Sequence, residues 1–187
     1  MHRDSLVEAI TTNLVEQGLV GASLDRLAAA AHTSARMLVH HFGSRDAVIE
    51  LALDRARRRQ MAAARAALPP SGDFISHLAA AWPWFINPLT GKYFKLFSQV
   101  ASVELTDGEH TMRSGMVDEW LDVFQSGFAA VGYSRAAAQT LATITSAQLR
   151  GLFLDLDATA DTQRVERAYR HFVSLLEAEA PPANTGP

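Results

Sequence analysis

The sequence predicts an all-α chain, with three short helices at the N-terminus and a larger helical region behind them. Apolar residues recur at helical spacing along almost every long segment, and no segment alternates apolar and polar residues as a half-buried strand does. Cap residues, glycines and prolines punctuate the chain at helix-length intervals. Composition agrees: the 187 residues are 48% hydrophobic and 20% charged, which suits a chain that buries a core rather than a disordered one.

Leu6, Ile10 and Leu14 recur every fourth residue, flanked by Val7 and Val15, and predict one amphipathic helix ending near Gly18. Ser23 reads as an N-cap for a second, short helix whose apolar face is Leu24, Leu27, Ala28 and Ala31. The pattern breaks at "HTS", where Thr33 or Ser34 can cap a third helix with Leu38 and Phe42 facing inward. Gly43 stops that helix and Ser44 caps the next, with Asp46 in the first turn, where the helix dipole favours a negative charge. None of the three is long enough to hold a core alone, so each must pack on the other two.

A long helix then runs through "RDAVIELALDRARRRQMAAARAAL" to Pro69 and Pro70, with Arg55, Arg57, Arg58 and Arg59 read as a solvated face. Five further helices are expected over about 73–86, 89–105, 109–131, 134–157 and 161–179, with Pro88, Gly108, Gly132 and Asp161 at or near the breaks. Pro83, between two tryptophans, is expected to kink or end its helix. The tail "PPANTGP" is expected to fray.

Two helices joined by a tight hinge, the second with a polar outward face, form a helix-turn-helix, so the expected partner is double-stranded DNA. The outward face carries Ala35, Arg36, Val39 and His40, with Met37 beside them, and the major groove presents guanine O6 and N7 to an arginine fork. The hydroxyls of Ser23 and of Thr33 or Ser34 lie beside unpaired helix-start amides, and Arg45 adds a charge at the next helix start; all suit phosphates. The net charge is −3, but residues 1–60 hold eight arginines against seven acidic residues, leaving nine basic and thirteen acidic residues for the remainder. Only the first third of the chain suits a polyanion.

Other classes fit less well. Without cysteine there is no disulfide, thiolate nucleophile or cysteine-ligated zinc, and adjacent His40 and His41 point about 100° apart, so neither a metal nor a cofactor is expected. No apolar run reaches the roughly 18 residues of a membrane span, and the start "MHRDSLVEAI" lacks a signal peptide's apolar core, so a cytoplasmic protein without a membrane partner is expected. There is no GxSxG, P-loop or HExxH, and the chain is not expected to be an enzyme. The alternatives are a helical small-molecule-binding protein with lapsed DNA binding and, behind it, a helical enzyme.

In order and spacing, "VEQGLVGAS", "LDRLAAAAHTS", "ARMLVHHF" and "GSRDAV" resemble the N-terminal DNA-binding domain of TetR-type transcriptional regulators, the tetracycline-repressor family. That family typically shows a helix ending in glycine, a Ser/Thr cap, an "IA..AGVS" hinge, "GTLYHHF" and "SK(E/D)". The resemblance implies a helix-turn-helix DNA-binding domain over 1–47 and a helical ligand-binding and dimerisation domain over 48–187. It also implies a ligand-responsive homodimer, most simply a repressor that a small, largely apolar effector releases from a near-palindromic operator. The chain departs from the pattern at four positions: His32 replaces the hinge glycine, Val39 the usual tyrosine, and Arg36 and Met37 the "GT" pair. Either the backbone at residue 32 needs no positive φ, or His32 tolerates one at some energetic cost. Arg36 and His40 become the expected anchors.

Aromatic and sulfur side chains crowd the middle of the chain: Trp82, Phe85, Tyr93, Phe97, Met112, Met116, Trp120, Phe124 and Phe128. Any one of them alone reads as ordinary core. As a set, such wide side chains leave irregular apolar gaps of the kind that bind a small molecule, and the resemblance places an effector pocket here. His77, Lys92, Glu104 and Gln125 could orient a ligand. The segment 134–157 carries two apolar stripes, Ala137, Leu141, Ile144, Gln148, Gly151 and Ala138, Ala142, Thr145, Leu149, Leu152, Leu156. One stripe can cover the core, and the other needs another partner. The last helix repeats the theme with Val165, Tyr169, Phe172 and Leu176, so a bundle of two helices from each subunit is expected, with the first stripe and Val165, Tyr169 and Phe172 at the dimer interface.

Overall fold

The computed structural model describes residues 3–107 and 111–181, and side chains at all of these except 103–107 and 111–114. The expected break at Gly108 and the side chains of Glu104 and Met112 therefore lie outside the described residues. Within them the chain is helical without strands: α1 Arg3–Gln17, α2 Leu24–Ala30, α3 Ala35–Phe42, α4 Arg45–Ala67, α5 Phe74–Ala80, α6 Trp82–Phe85, α7 Pro88–Asp107, α8 Thr111–Val131, α9 Arg135–Thr159 and α10 Thr162–Ala178. The helix expected over 73–86 is two, because its register breaks at Ala81 and Pro83 sits in the first turn of α6, where a missing N–H removes no intrahelical bond. No described helix is long and apolar enough to cross a membrane.

The helices group into two compact units, the first holding α1, α2, α3, α4 as far as Gln60, and α7. Its core is Ile10 and Leu14 of α1, Leu27 of α2, Leu38 of α3, Val48 and Ala52 of α4 and Leu96 of α7, each fully buried. The Thr11 hydroxyl is buried among them and donates to the Val7 carbonyl at 2.7 Å. The loop after α1 is tied to α7, since the Leu19 amide donates to Gln99 Oε1 at 2.6 Å. Two arginines hold the same loop: Arg26 donates to the carbonyls of Val20 at 2.9 Å and Gly18 at 2.6 Å, and Arg45 Nε to that of Ala22 at 2.7 Å.

The second unit holds the rest of α4 with α5, α6, α8 from Ser114 onward, α9 and α10. Its core mixes aliphatic residues with a cluster of aromatic rings. Phe74 meets Phe128 edge-on at 5.3 Å, Trp82 stacks on Tyr169 at 4.9 Å, and Phe85 lies 5.9 Å from Tyr169 and 5.8 Å from Phe153. Such pairs add to the burial of large apolar area. Tyr169 is fully buried and donates its hydroxyl to the Leu78 carbonyl, fastening α10 to the end of α5. Gly127 of α8 lies against Phe74 so closely that a Cβ there would overlap the ring.

Two outcomes follow from this core. Gly127→Ala should destabilise the chain by about 1–3 kcal/mol or more, because the buried Phe74 ring has nowhere to move; a midpoint in urea equal to the parent's would contradict the packing. Burial also raises the Tyr169 phenol well above its ordinary value, and raises Tyr93 and Tyr133 in the same direction. Above about pH 10 the unfolded chain has released phenolic protons that the folded chain still holds, so stability should fall as pH rises. Tyr169→Phe should flatten that fall while losing about 1 kcal/mol at neutral pH, as denaturation curves between about pH 8 and pH 12 would show.

Candidate nucleic-acid interface

Helix α3 is eight residues long and contributes two side chains, Leu38 and Phe42, to the buried interior. Its start is fixed by Ser34, the cap among the two expected possibilities, whose hydroxyl accepts the Met37 amide at 3.2 Å. Thr33 instead belongs to the hinge, its amide donating to the Ala28 carbonyl at 2.9 Å while the His32 amide donates to that of Ala29 at 3.1 Å. This pair of bonds is the Schellman arrangement, which needs a left-handed residue between them, and His32 supplies it with φ +51°. The histidine therefore takes the strained branch of the expectation, in a region where non-glycine residues are uncommon but histidine is enriched. Gly43, at φ +87°, ends α3 with its amide on the Val39 carbonyl at 2.8 Å.

With Leu38 and Phe42 turned inward, the opposite face of α3 is open. Arg36, Met37, Val39 and His40 are exposed, and Ala35 is half-buried. Ser23 caps α2 by accepting the Arg26 amide at 3.2 Å and is exposed at the helix start, as Ser34 is at the start of α3. His40 and His41 lie 5.4 Å apart edge-on, His40 exposed and His41 half-buried, and among the described residues no three His, Asp or Glu side chains gather as a metal site would require. The Arg3 guanidinium sits 5.1 Å from the centre of the Phe42 ring, on the inner side of the same helix.

The structure refines the charges expected at this surface. Arg45 is exposed, but its Nε holds the Ala22 carbonyl and its Nη1 pairs with Asp46 at 2.7 Å, so it shapes the loop before α2 as well as standing at the start of α4. The arginine run of α4 is engaged by acids: Arg55 with Asp4 and Glu8, Arg59 with Glu8, and Arg57 and Arg58 with Asp54. Its hydrogen bond to Arg59, first among several contacts, holds the Glu8 carboxyl below its usual range. Solvent-exposed pairs of this kind add little stability, but they neutralise the run. The loop-holding role of Arg26 and Arg45 has no sequence signature, because it depends on carbonyls that only the folded loop presents.

The other expected residues divide between the units. Trp82, Phe85, Trp120, Phe124 and Phe128 are buried in the second unit and Met116 is half-buried there, whereas Tyr93 and Phe97 belong to the first. Trp120 stacks on Phe124 at 5.5 Å and lies 6.4 Å from Trp84. Of the polar candidates, Lys92 pairs with Glu16 and half-buried His77 lies 3.4 Å from the Ser71 hydroxyl. On α9 the stripe from Ala138 to Leu152 is the buried one. Of the stripe Ala137, Leu141, Ile144, Gln148, Gly151, Ile144 is 48% exposed and Gly151 is exposed with open space where a side chain would be, while Ala137, Leu141 and Gln148 are half-buried. Leu154, one turn beyond Gly151, extends it at 62% exposure.

On α10 the expected interface set needs correction. Val165 and Tyr169 are buried inside their own unit, Tyr169 by its bond to Leu78 and its stacking on Trp82, so neither is available to a second chain. Phe172 is half-buried, and the outward apolar residue beside it is Leu175, 52% exposed. The sequence pattern carried both faces of α10, and periodicity alone does not say which is inside.

Comparison with known proteins agrees with this arrangement. Residues 6–52, from α1 into α4, match the family model "Bacterial regulatory proteins, tetR family". No curated protein matches the chain. Among solved structures, a transcriptional regulator from Rhodococcus sp. Rha1 superposes with a TM-score of 0.78 at 20% identity, over 96% of this chain and 98% of that one. A protein described as a TetR-family transcriptional regulator from Rhodococcus sp. gives 0.68 at 17% identity over 92% and 97%. A regulator from Pseudomonas aeruginosa PAO1 gives 0.60 at 23% identity over 94% and 90%. Identities this low speak to fold. Residues 6–52 are thus similar to the tetR family of bacterial regulatory proteins, and the chain as a whole shares the helical fold of these solved regulators.

Proposed function

We propose that this chain is a cytoplasmic homodimeric repressor that reads a near-palindromic operator through α3 and is released from it by a small, largely apolar effector. The observation that carries the DNA reading is the open face of α3: a capped helix, seated by two core residues, that presents Arg36 and His40 outward beside exposed Ser23 and Ser34. Serine hydroxyls and helix-start amides position a protein on phosphates, and the side chains between them read base edges. By this account Ser23, Ser34 and Arg45 contact backbone, Thr33 and Ala35 fit the groove wall, and Arg36 and His40 reach the bases.

The dimer reading rests on the exposed apolar residues Ile144 and Leu154 of α9, with Gly151 between them, and Leu175 of α10, beside half-buried Leu141 and Phe172. Soluble monomers seldom keep a large continuous apolar patch, and a two-fold bundle covers it while fixing two α3 helices about a duplex turn apart. The effector reading rests on the aromatic residues inside the second unit, where Trp82 Nε1 and Thr145 Oγ1 are buried without a hydrogen-bond partner among the described residues. An unpaired buried donor is unfavourable by about 1–3 kcal/mol, and a ligand that satisfied it would be held in a fixed orientation. A ligand preferring one dimer geometry would shift the half-site spacing, a coupling of about 1–3 kcal/mol in typical cases. No part of this scheme calls for catalysis.

Two experiments test the reading. In a gel shift with the DNA flanking its own coding region, the chain should bind one fragment specifically. Arg36→Ala should lose about 1–3 kcal/mol and relax preference at one base pair per half-site; a variant as tight and as selective as the parent would remove α3 from the groove. Gly151→Arg has room within the subunit, so the fold should survive while the dimer separates. Sedimentation should then report monomers with helical circular dichroism and weak operator binding, and a normal dimer would displace the interface from α9.

A further inference from the structure

Two residues on the open face of α3 have no ordinary reason to be there. Met37 is 41% exposed and Val39 42% exposed, on a helix whose packing is already satisfied by Leu38 and Phe42. Neither side chain offers a strong hydrogen bond, so neither is suited to phosphate or to the polar edges of bases. Single exposed apolar residues are common, but these two are interleaved with the helix's charged and polar groups in a regular way. Arg36 and Val39 stand three residues apart, as do Met37 and His40, so each pair shares one side of the face. Each pair sets one hydrogen-bonding group beside one apolar group.

The surroundings select the occupant. No acidic residue lies between Asp25 and Asp46, while Arg36, His40, His41 and Arg45 fall in that interval. Such a strip suits a polyanion better than a protein or an apolar ligand. The major groove has one apolar feature for such side chains to cover, the C5-methyl of thymine. We propose that Met37 and Val39 are specificity residues that each cover a thymine methyl, so that every half-site carries thymines within one or two base pairs of the guanine read by Arg36. The spacing follows from about 5–6 Å between Cβ atoms three residues apart on a helix and about 3.4 Å per base step. Val39, stiff about its first side-chain bond, fixes its thymine tightly. Unbranched Met37 accommodates more than one position. The inference rests on the DNA-binding reading above.

The test uses the full chain and a duplex selected by that chain from a randomised library. Each thymine is replaced in turn by deoxyuridine, which removes the methyl and leaves every hydrogen-bonding group in place. Substitution at one or two thymines per half-site should weaken binding about fourfold each, the affinity equivalent of burying one methyl-sized group. In Val39→Ser and Met37→Ser, both surface changes, the sensitivity should vanish at one thymine each while the other positions keep theirs. A selected site that binds equally well with uracil throughout, or variants that keep the parent's full sensitivity, would overturn the proposal and leave DNA binding intact. A library that yields no preferred duplex would overturn the DNA-binding reading and this inference with it.

Discussion

Everything proposed for α3 depends on one constraint: eight residues must be held in a fixed pose by only Leu38 and Phe42 and by caps at either end. A helix this short is unstable alone. It persists because Ser34 satisfies a first-turn amide, Gly43 closes the last turn, and Leu38 is buried completely. The same economy leaves Arg36, Met37, Val39 and His40 exposed.

The support extends outward from that helix. The hinge holds α2 and α3 together through two backbone bonds around His32, Arg45 fixes the Ala22 carbonyl from the start of α4, and Gln99 of α7 holds the Leu19 amide. These are polar ties over an apolar interior, and they restrict orientation more than they add stability. A reading head needs such restriction, because base contacts are lost with small displacements.

Much of this was legible in the sequence, for identifiable reasons. The helix starts at Ser23 and Ser44 follow from cap chemistry, which also narrows the start of α3 to Thr33 or Ser34, and the paired stripes of α9 announce one buried face and one left over. Three things were not. The short α6 appears only because Ala81 breaks the register. Val165 and Tyr169 carry apolar bulk that fits either face of α10, and only the bond to Leu78 and the stack on Trp82 decide. The aromatic residues of the middle segment read as one set, yet Tyr93 and Phe97 fold with α1 to α3, because sequence proximity does not determine which unit a helix joins.

The central claim is that the outward face of α3 enters the major groove of a two-fold symmetric DNA site. The most direct measurement is dimethyl sulfate protection, which reports guanine N7 in that groove, on a duplex selected by the full-length chain. The account predicts protected guanines in two clusters related by two-fold symmetry, about one helical turn or slightly more apart on one face of the duplex. Unprotected N7 positions throughout a duplex that the chain nevertheless binds would place the contact elsewhere and contradict the account.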